Sequence, residues 1–198
     1  MSTLLATYVQ NSDAQSLVQL LNSDDTSEYE DYLNEEVLDE MVVDSQENIF
    51  FMTSDLEILQ LLVEFYARHQ KLHLVRLQLL PFCFQSFHKQ STTKPHSHSR
   101  SWQPLLNFMF GNHLEIVEYL LNNVPVIDIG ETGVFLLCLK NVTAEMLELL
   151  IKYYINSQCK ALNNDNGNVH HTTLCIQLLL GTNYFGKNFL HFAVKNHN

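Results

Sequence analysis

Lysine and arginine are absent from the first 64 residues of this 198-residue chain, a stretch that holds 15 of its 22 Asp and Glu residues. A field of that sign repels nucleic acid and can steer basic partners. Glycine is scarce at six residues, and the patterns G-x-x-x-x-G-K-[ST], G-x-G-x-x-G and G-x-S-x-G do not occur. That leaves no phosphate-cradling loop and no nucleophile elbow to propose. The nearest approach to the first pattern, Gly181 to Asn188, has no Ser or Thr after Lys187 and no strand before it. The four cysteines, Cys83, Cys138, Cys159 and Cys175, form no C-x-x-C pair, which fits neither a zinc ribbon nor a dense disulfide framework. They read as reduced structural thiols, Cys138 most of all, inside the apolar run Phe135-Leu136-Leu137-Cys138-Leu139. No apolar run reaches 18 residues, because the best candidate, 72–87, is broken by Arg76, Gln78, Pro81 and Gln85. A membrane-spanning helix is therefore not expected. The N-terminus also lacks the basic patch and apolar core of a signal peptide, so the expected location is cytoplasmic.

What is present is apolar and helical in its spacing. Hydrophobic residues make up 46% of the chain and aromatics 11%, enough for a substantial core and more than a disordered chain carries. Residues 65–198 hold all 11 basic residues and 7 acidic ones, so the two parts carry −15 and +4 within a net charge of −11. Most of the acid lies in 24–47. This segment reads either as a solvated loop and helix face or as a partner surface, with Tyr29, Tyr32 and Leu38 as anchors set among the charges. Its basic counterpart is 68–100, with six Lys or Arg residues and a polar second half that reads as a loop. An internal partner for the acidic segment explains those charges more economically than RNA.

Histidine invites a metal reading at His96-x-His98 and His170-His171, yet neither pair has Cys or carboxylate neighbours at ligand spacing. His69 and His73 are four apart and would share one helix face, without the Glu of H-E-x-x-H. No metal and no cofactor is expected, and no catalytic constellation is visible.

The helical pattern is clearest at Asn112-His113-Leu114-Glu115-Ile116-Val117-Glu118-Tyr119-Leu120-Leu121, where apolar residues recur on one face. An isolated helix of about ten residues is marginal in water, so its stripe must pack against neighbours. This stretch resembles the second helix of an ankyrin repeat. Gln103-Pro104-Leu105-Leu106-Asn107-Phe108-Met109 is similar to the first helix, usually T-P-L-H-x-A-A, and Gly186-Lys187-Asn188-Phe189-Leu190-His191-Phe192-Ala193-Val194 is similar to the opening of another repeat. Weaker echoes of second helices occur at 12–21, 54–62 and 143–150.

The resemblance implies an all-α fold, an ankyrin-like α-solenoid of helix-turn-helix repeats with long insertions, in a single domain over 1–198. Units would start near 3, 45, 103, 133 and 188, at intervals of 42, 58, 30 and 55 residues, against a family period of about 33. Insertions are expected at about 65–101 and 155–186. The first would hold a long helix from Leu72 to Phe87 bent at Pro81, and the second a lone helix at 173–180.

The implied function is binding of another protein, through first-helix residues on the concave face and through hairpin tips. Those positions are Asn107 and Phe110 in the third unit, Glu131, Thr132, Leu137 and Lys140 in the fourth, and Phe192 and Lys195 in the fifth. Phe110 is the leading candidate because the resemblance turns it outward, where an interface would desolvate it. His191 takes the place of a structural histidine that bonds neighbouring repeats. The irregular repeats resemble those of divergent ankyrin proteins, including effectors that intracellular pathogens deliver into host cells, which would place the chain in the host cytoplasm. A monomer that binds neither nucleic acid nor membrane is expected. Because Asn198 follows a first helix directly, the chain reads as the N-terminal part of a longer protein, or else its last helix is a cap. The alternative function is a targeting domain of a larger enzyme, with the catalytic part beyond residue 198 or assembled from distant residues.

Overall fold

The computed structural model describes residues 3–23, 27–41, 48–79, 104–124 and 142–163. Among these every regular element is helical. The chain divides into two compact units, Met1–Phe108 with Glu115–Val126, and Met109–Leu114 with Ile127–Asn198.

The first unit begins with a short hairpin, α1 (Leu4–Gln10) and α2 (Ala14–Leu21). Both starts are fixed by side chains: Thr3 Oγ1 accepts from Ala6 N at 3.2 Å and Asp13 Oδ1 from Ser16 N at 3.0 Å. A threonine cap of this kind contributes about 1 kcal/mol. After α2 come a 3-10 turn, Glu30–Leu33, and α3 (Glu35–Met41). A second 3-10 turn, Ile49–Phe51, precedes α4 (Leu56–Arg68), whose first turn is capped by Asp55 through Glu57 N and Ile58 N. Then α5 (Leu72–Leu79) folds back along it. The first unit also holds most of α6 (Pro104–Phe110) and α7 (Leu114–Asn123).

Packing follows the apolar stripes. α1 lies against α2 and against the turn Ile49–Phe51, α2 against α4, α4 against α5, and α5 against α3. Leu5, Val9, Leu17, Ile49, Phe50, Ile58, Leu59, Leu62, Phe65, Tyr66, Leu74 and Leu79 are all buried. Each large apolar side chain moved fully out of water contributes roughly 1.5–3 kcal/mol. The burial of α7 fits its sequence pattern, with Ile116, Val117, Leu120 and Leu121 inside and Glu115, Glu118 and Asn122 outside.

Three helix hairpins share one connection. Between α1 and α2, α4 and α5, and α6 and α7 the chain spends three residues, and the middle one is left-handed: Ser12 at φ 52°, Gln70 at φ 58° and Asn112 at φ 57°. In the first two hairpins the same bonds close the helix, Ser12 N to Val9 O with Asp13 N to Tyr8 O, and Gln70 N to Ala67 O with Lys71 N to Tyr66 O. This paired pattern satisfies the last helical carbonyls and normally uses glycine at the left-handed position. Asn112 N bonds Met109 O in the same way.

In the second unit, the described residues are 109–114 and 142–163. α8 (Ala144–Asn163) is capped by Thr143, whose Oγ1 accepts from Met146 N at 3.3 Å. Among its described side chains Met146 and Leu150 are buried, and the exposed Glu148 and Lys152 pair at 2.7 Å one turn apart. The helix runs 13 residues past the sequence pattern at 143–150 and into the expected insertion 155–186.

Candidate interaction surface

Of the residues assigned to partner contact, the structure describes Asn107 and Phe110. Glu131, Thr132, Leu137, Lys140, Phe192 and Lys195 lie outside the described residues, as does His191. α6 opens on Pro104, whose fixed φ suits a first helical position, and buries Leu105, Leu106, Phe108 and Met109. Asn107 is exposed on that helix. Phe110, expected to face outward, is half-buried at the helix end and already takes part in an interaction within the protein. A side chain one residue from the turn shares its surface between water and the protein. Gly111, Asn112 and His113 form an exposed tip, and there Thr143 Oγ1 lies 2.6 Å from Asn112 Oδ1. The threonine hydroxyl donates to the amide oxygen while accepting from Met146 N, so one side chain fixes both a helix start and a turn.

In the acidic segment the described carboxylates Glu30, Asp31, Glu35 and Glu36 are exposed, as a solvated loop and helix face requires, but the expected partner anchors are not. Tyr29, Tyr32 and Leu38 are buried at 3%, 3% and 1% exposure, so they are not free anchors for a partner. Tyr29 meets Phe65 edge-on at 5.1 Å between ring centroids, and Phe65 meets His69 at 4.7 Å. The Tyr66 hydroxyl donates to the Tyr32 carbonyl at 3.0 Å, Lys71 Nζ to the Leu33 carbonyl at 2.6 Å, and Tyr29 Oη to the Ser23 carbonyl at 3.3 Å. The tyrosines turn inward because the turn Glu30–Leu33 separates anchors from acids, leaving Glu30 and Asp31 exposed.

Among the described residues, the basic side chains near this segment take neutral acceptors in it or just before it. Lys71 takes a carbonyl, Arg68 Nη1 takes Asn22 Oδ1 at 2.8 Å, and His73 Nε2 stands 3.9 Å from Glu35. The expectation that His69 and His73 share a helix face fails at Gln70, whose left-handed backbone ends α4 between them. Among the described residues no three His, Cys, Asp or Glu side chains come together as a metal site, and no helix is long and apolar enough to cross a membrane.

Sequence reasoning missed a polar chain inside the first unit. Tyr66 Oη accepts from Gln78 Nε2 at 2.8 Å, the Gln78 carbonyl accepts from Asn48 Nδ2 at 2.9 Å, and Asn48 Oδ1 accepts from Phe50 N at 3.0 Å. Both Asn48 and Gln78 are buried. Burial pushes the Tyr66 phenol well above its ordinary range, opposed by the Gln78 bond, so it stays a donor. A signal was present: Gln78 stands four residues after Leu74 on the apolar stripe of α5. Nearby in the same unit, burial and then the charge of Glu64 raise the Tyr119 phenol. Comparison with protein-family models, curated proteins and solved structures finds no match to this chain.

Proposed function

We propose that this chain is a divergent ankyrin-type repeat protein whose role is to bind another protein. The observation that carries the reading is the recurrence of one left-handed, three-residue connection at Ser12, Gln70 and Asn112, each joining two short helices. Repetition of a local backbone solution is what a repeat architecture produces: the turns at Ser12 and Asn112 join a first helix to a second, and the same turn at Gln70 follows the second helix α4. The packing of α1 on the turn Ile49–Phe51 and of α2 on α4 supports it further. On this reading those contacts set a first-helix element on a first-helix element and a second on a second, the described part of the next unit's first element being the 3-10 turn Ile49–Phe51.

On this reading Asn107 and Phe110 contribute to the partner face, joined by Glu131, Thr132, Leu137, Lys140, Phe192 and Lys195. Affinity would come from a few desolvated apolar contacts, and orientation from charge. The protein acts as a monomer in the cytoplasm, that of a host cell if it is an effector. The test is affinity capture from cell lysate, comparing wild type with Asn107→Arg and with Phe110→Ala plus Lys140→Glu, each checked by circular dichroism. A specific protein retained by wild type and lost by both folded variants supports a concave-face binder. A partner indifferent to both changes rejects these residues as the site.

A further inference from the structure

Residues 27–38 sit on the α4–α5 hairpin in the manner of a bound peptide. Their anchors are two tyrosines three positions apart, Tyr29 against Phe65 and 6.4 Å from His69, and Tyr32 beneath the Tyr66 hydroxyl. The hairpin holds the main chain of this stretch with side chains, Tyr66 on the Tyr32 carbonyl and Lys71 on the next carbonyl, that of Leu33. Pockets for spaced anchors combined with capture of main-chain carbonyls are a recurrent way to hold a short segment.

Charge agrees with the geometry. Around its turn the hairpin carries Arg68, Lys71 and Arg76 with His69 and His73, its own Glu57 and Glu64 standing earlier on α4, and the stretch carries Glu28, Glu30, Asp31, Glu35 and Glu36. One close pair joins the two groups, His73 with Glu35 at 3.9 Å, both more than half exposed, so most of the attraction acts through space. Against it stands repulsion among the five carboxylates. The stretch buries three side chains, Tyr29, Tyr32 and Leu38, and is also tied to the N-terminal helix by Thr3 Oγ1 with Tyr32 Oη and by Leu4 N on Glu28 Oε2, both at 3.2 Å; segments with few apolar contacts open first.

We propose that the α4–α5 hairpin is a receptor for a short acidic segment of the form Tyr-x-x-Tyr, occupied in cis by residues 27–38 and open to a partner segment of the same chemistry. The site uses none of the residues assigned to the concave face and does not depend on that assignment. A resident segment tethered this closely competes at an effective concentration on the order of 1 mM. An incoming segment must therefore either bind tightly or find the resident one displaced.

Two measurements on the full chain test this. In native-state hydrogen exchange, the amides of Tyr32, Asn34 and Leu38, bonded to Tyr29 O, Asp31 O and Asn34 O, are expected to exchange at least about tenfold faster than those of Leu59 and His69 in and beside α4, by an opening that leaves α4 closed. Exchange of the stretch only through global unfolding overturns the proposal. In the second, a synthetic peptide of residues 27–38 is titrated into the Tyr29→Ala/Tyr32→Ala protein and into wild type. Binding to the variant at least about tenfold tighter than to wild type, lost when the peptide's own tyrosines are alanine and weakened by Lys71→Met, is the expected result. A folded variant that ignores the peptide overturns the proposal, and so does a variant that loses its helical signal, because the stretch is then inseparable core.

Discussion

The hydroxyl of Tyr66, on α4, donates a 3.0 Å hydrogen bond to the main-chain carbonyl of Tyr32. The same oxygen accepts from Gln78 on α5, so one phenol joins the acidic stretch to both arms of a helix hairpin.

Tyr66→Phe therefore removes a partner from two buried groups at once. Leaving buried polar groups unsatisfied costs about 1–3 kcal/mol each, and Gln78 Nε2 keeps only a 3.4 Å contact with the Leu74 carbonyl. A net loss of about 2 kcal/mol is expected in urea denaturation. An unchanged midpoint would show that water replaces the hydroxyl without cost.

Gln70→Gly should stabilise. A non-glycine residue in the left-handed region costs roughly 1–2 kcal/mol, offset by about 0.5–1 kcal/mol of glycine's extra freedom in the unfolded chain. The expected gain is about 0.5–1 kcal/mol, or roughly 2 °C in Tm for a chain of this size. Asn112→Gly should gain less, because asparagine tolerates this region and its side chain also meets Thr143. A lower Tm for Gln70→Gly would contradict the assigned turn.

Acid should loosen the first hairpin through Asp13. The Ser16 hydroxyl bond, and then its backbone N–H, hold the Asp13 carboxyl below its ordinary value of 3.8. A carboxyl depressed in the folded state contributes fully above its unfolded value and loses that contribution as pH falls through the lower folded one. Asp13→Asn keeps an oxygen acceptor but cannot titrate. As pH falls from about 6 to about 2, past the ordinary carboxyl value, wild type should lose more Tm than Asp13→Asn, and parallel curves would remove Asp13 from the acid response. Glu148, held low by its hydrogen bond to Lys152 and then by that charge, acts in the same direction in both proteins.

Thr143→Val should weaken the second unit by about 1 kcal/mol, the usual worth of a helix cap, whereas Thr143→Ser should not. Nuclear magnetic resonance offers a local check: the Asn112 side-chain amide signals should shift in the valine variant alone. Shifts confined to α8 would show that the 2.6 Å bond to Asn112 does not persist in solution.

The helical class of this protein was legible because its apolar residues recur at helical spacing and its caps are conventional. Ile116, Val117, Leu120 and Leu121 mark α7, and Thr3, Asp13, Asp55 and Thr143 stand where four helices begin. Less legible were the left-handed turns, since Ser12, Gln70 and Asn112 take a place where glycine is the usual sign. The 3-10 turn Ile49–Phe51 and the run of α4 to Arg68 depend on tertiary packing that overrides local pattern. Tyr29 and Tyr32 were misread because adjacent carboxylates suggest a surface, yet a 3-10 turn lets neighbours in sequence face opposite ways. The polar chain through Asn48 and Gln78 needed the fold itself, because its members are separated by 30 positions.

The first compact unit is discontinuous: Met1–Phe108 is completed by Glu115–Val126. A ribosome therefore delivers the hairpin of α1 and α2 early, while the last piece of the same unit emerges only after the tip at Gly111 to His113 has been made. Until then the nascent chain holds an unfinished core, and a fragment ending at Phe110 would keep that unfinished state permanently. Chaperone dependence and protease sensitivity of such a fragment follow from its order of synthesis.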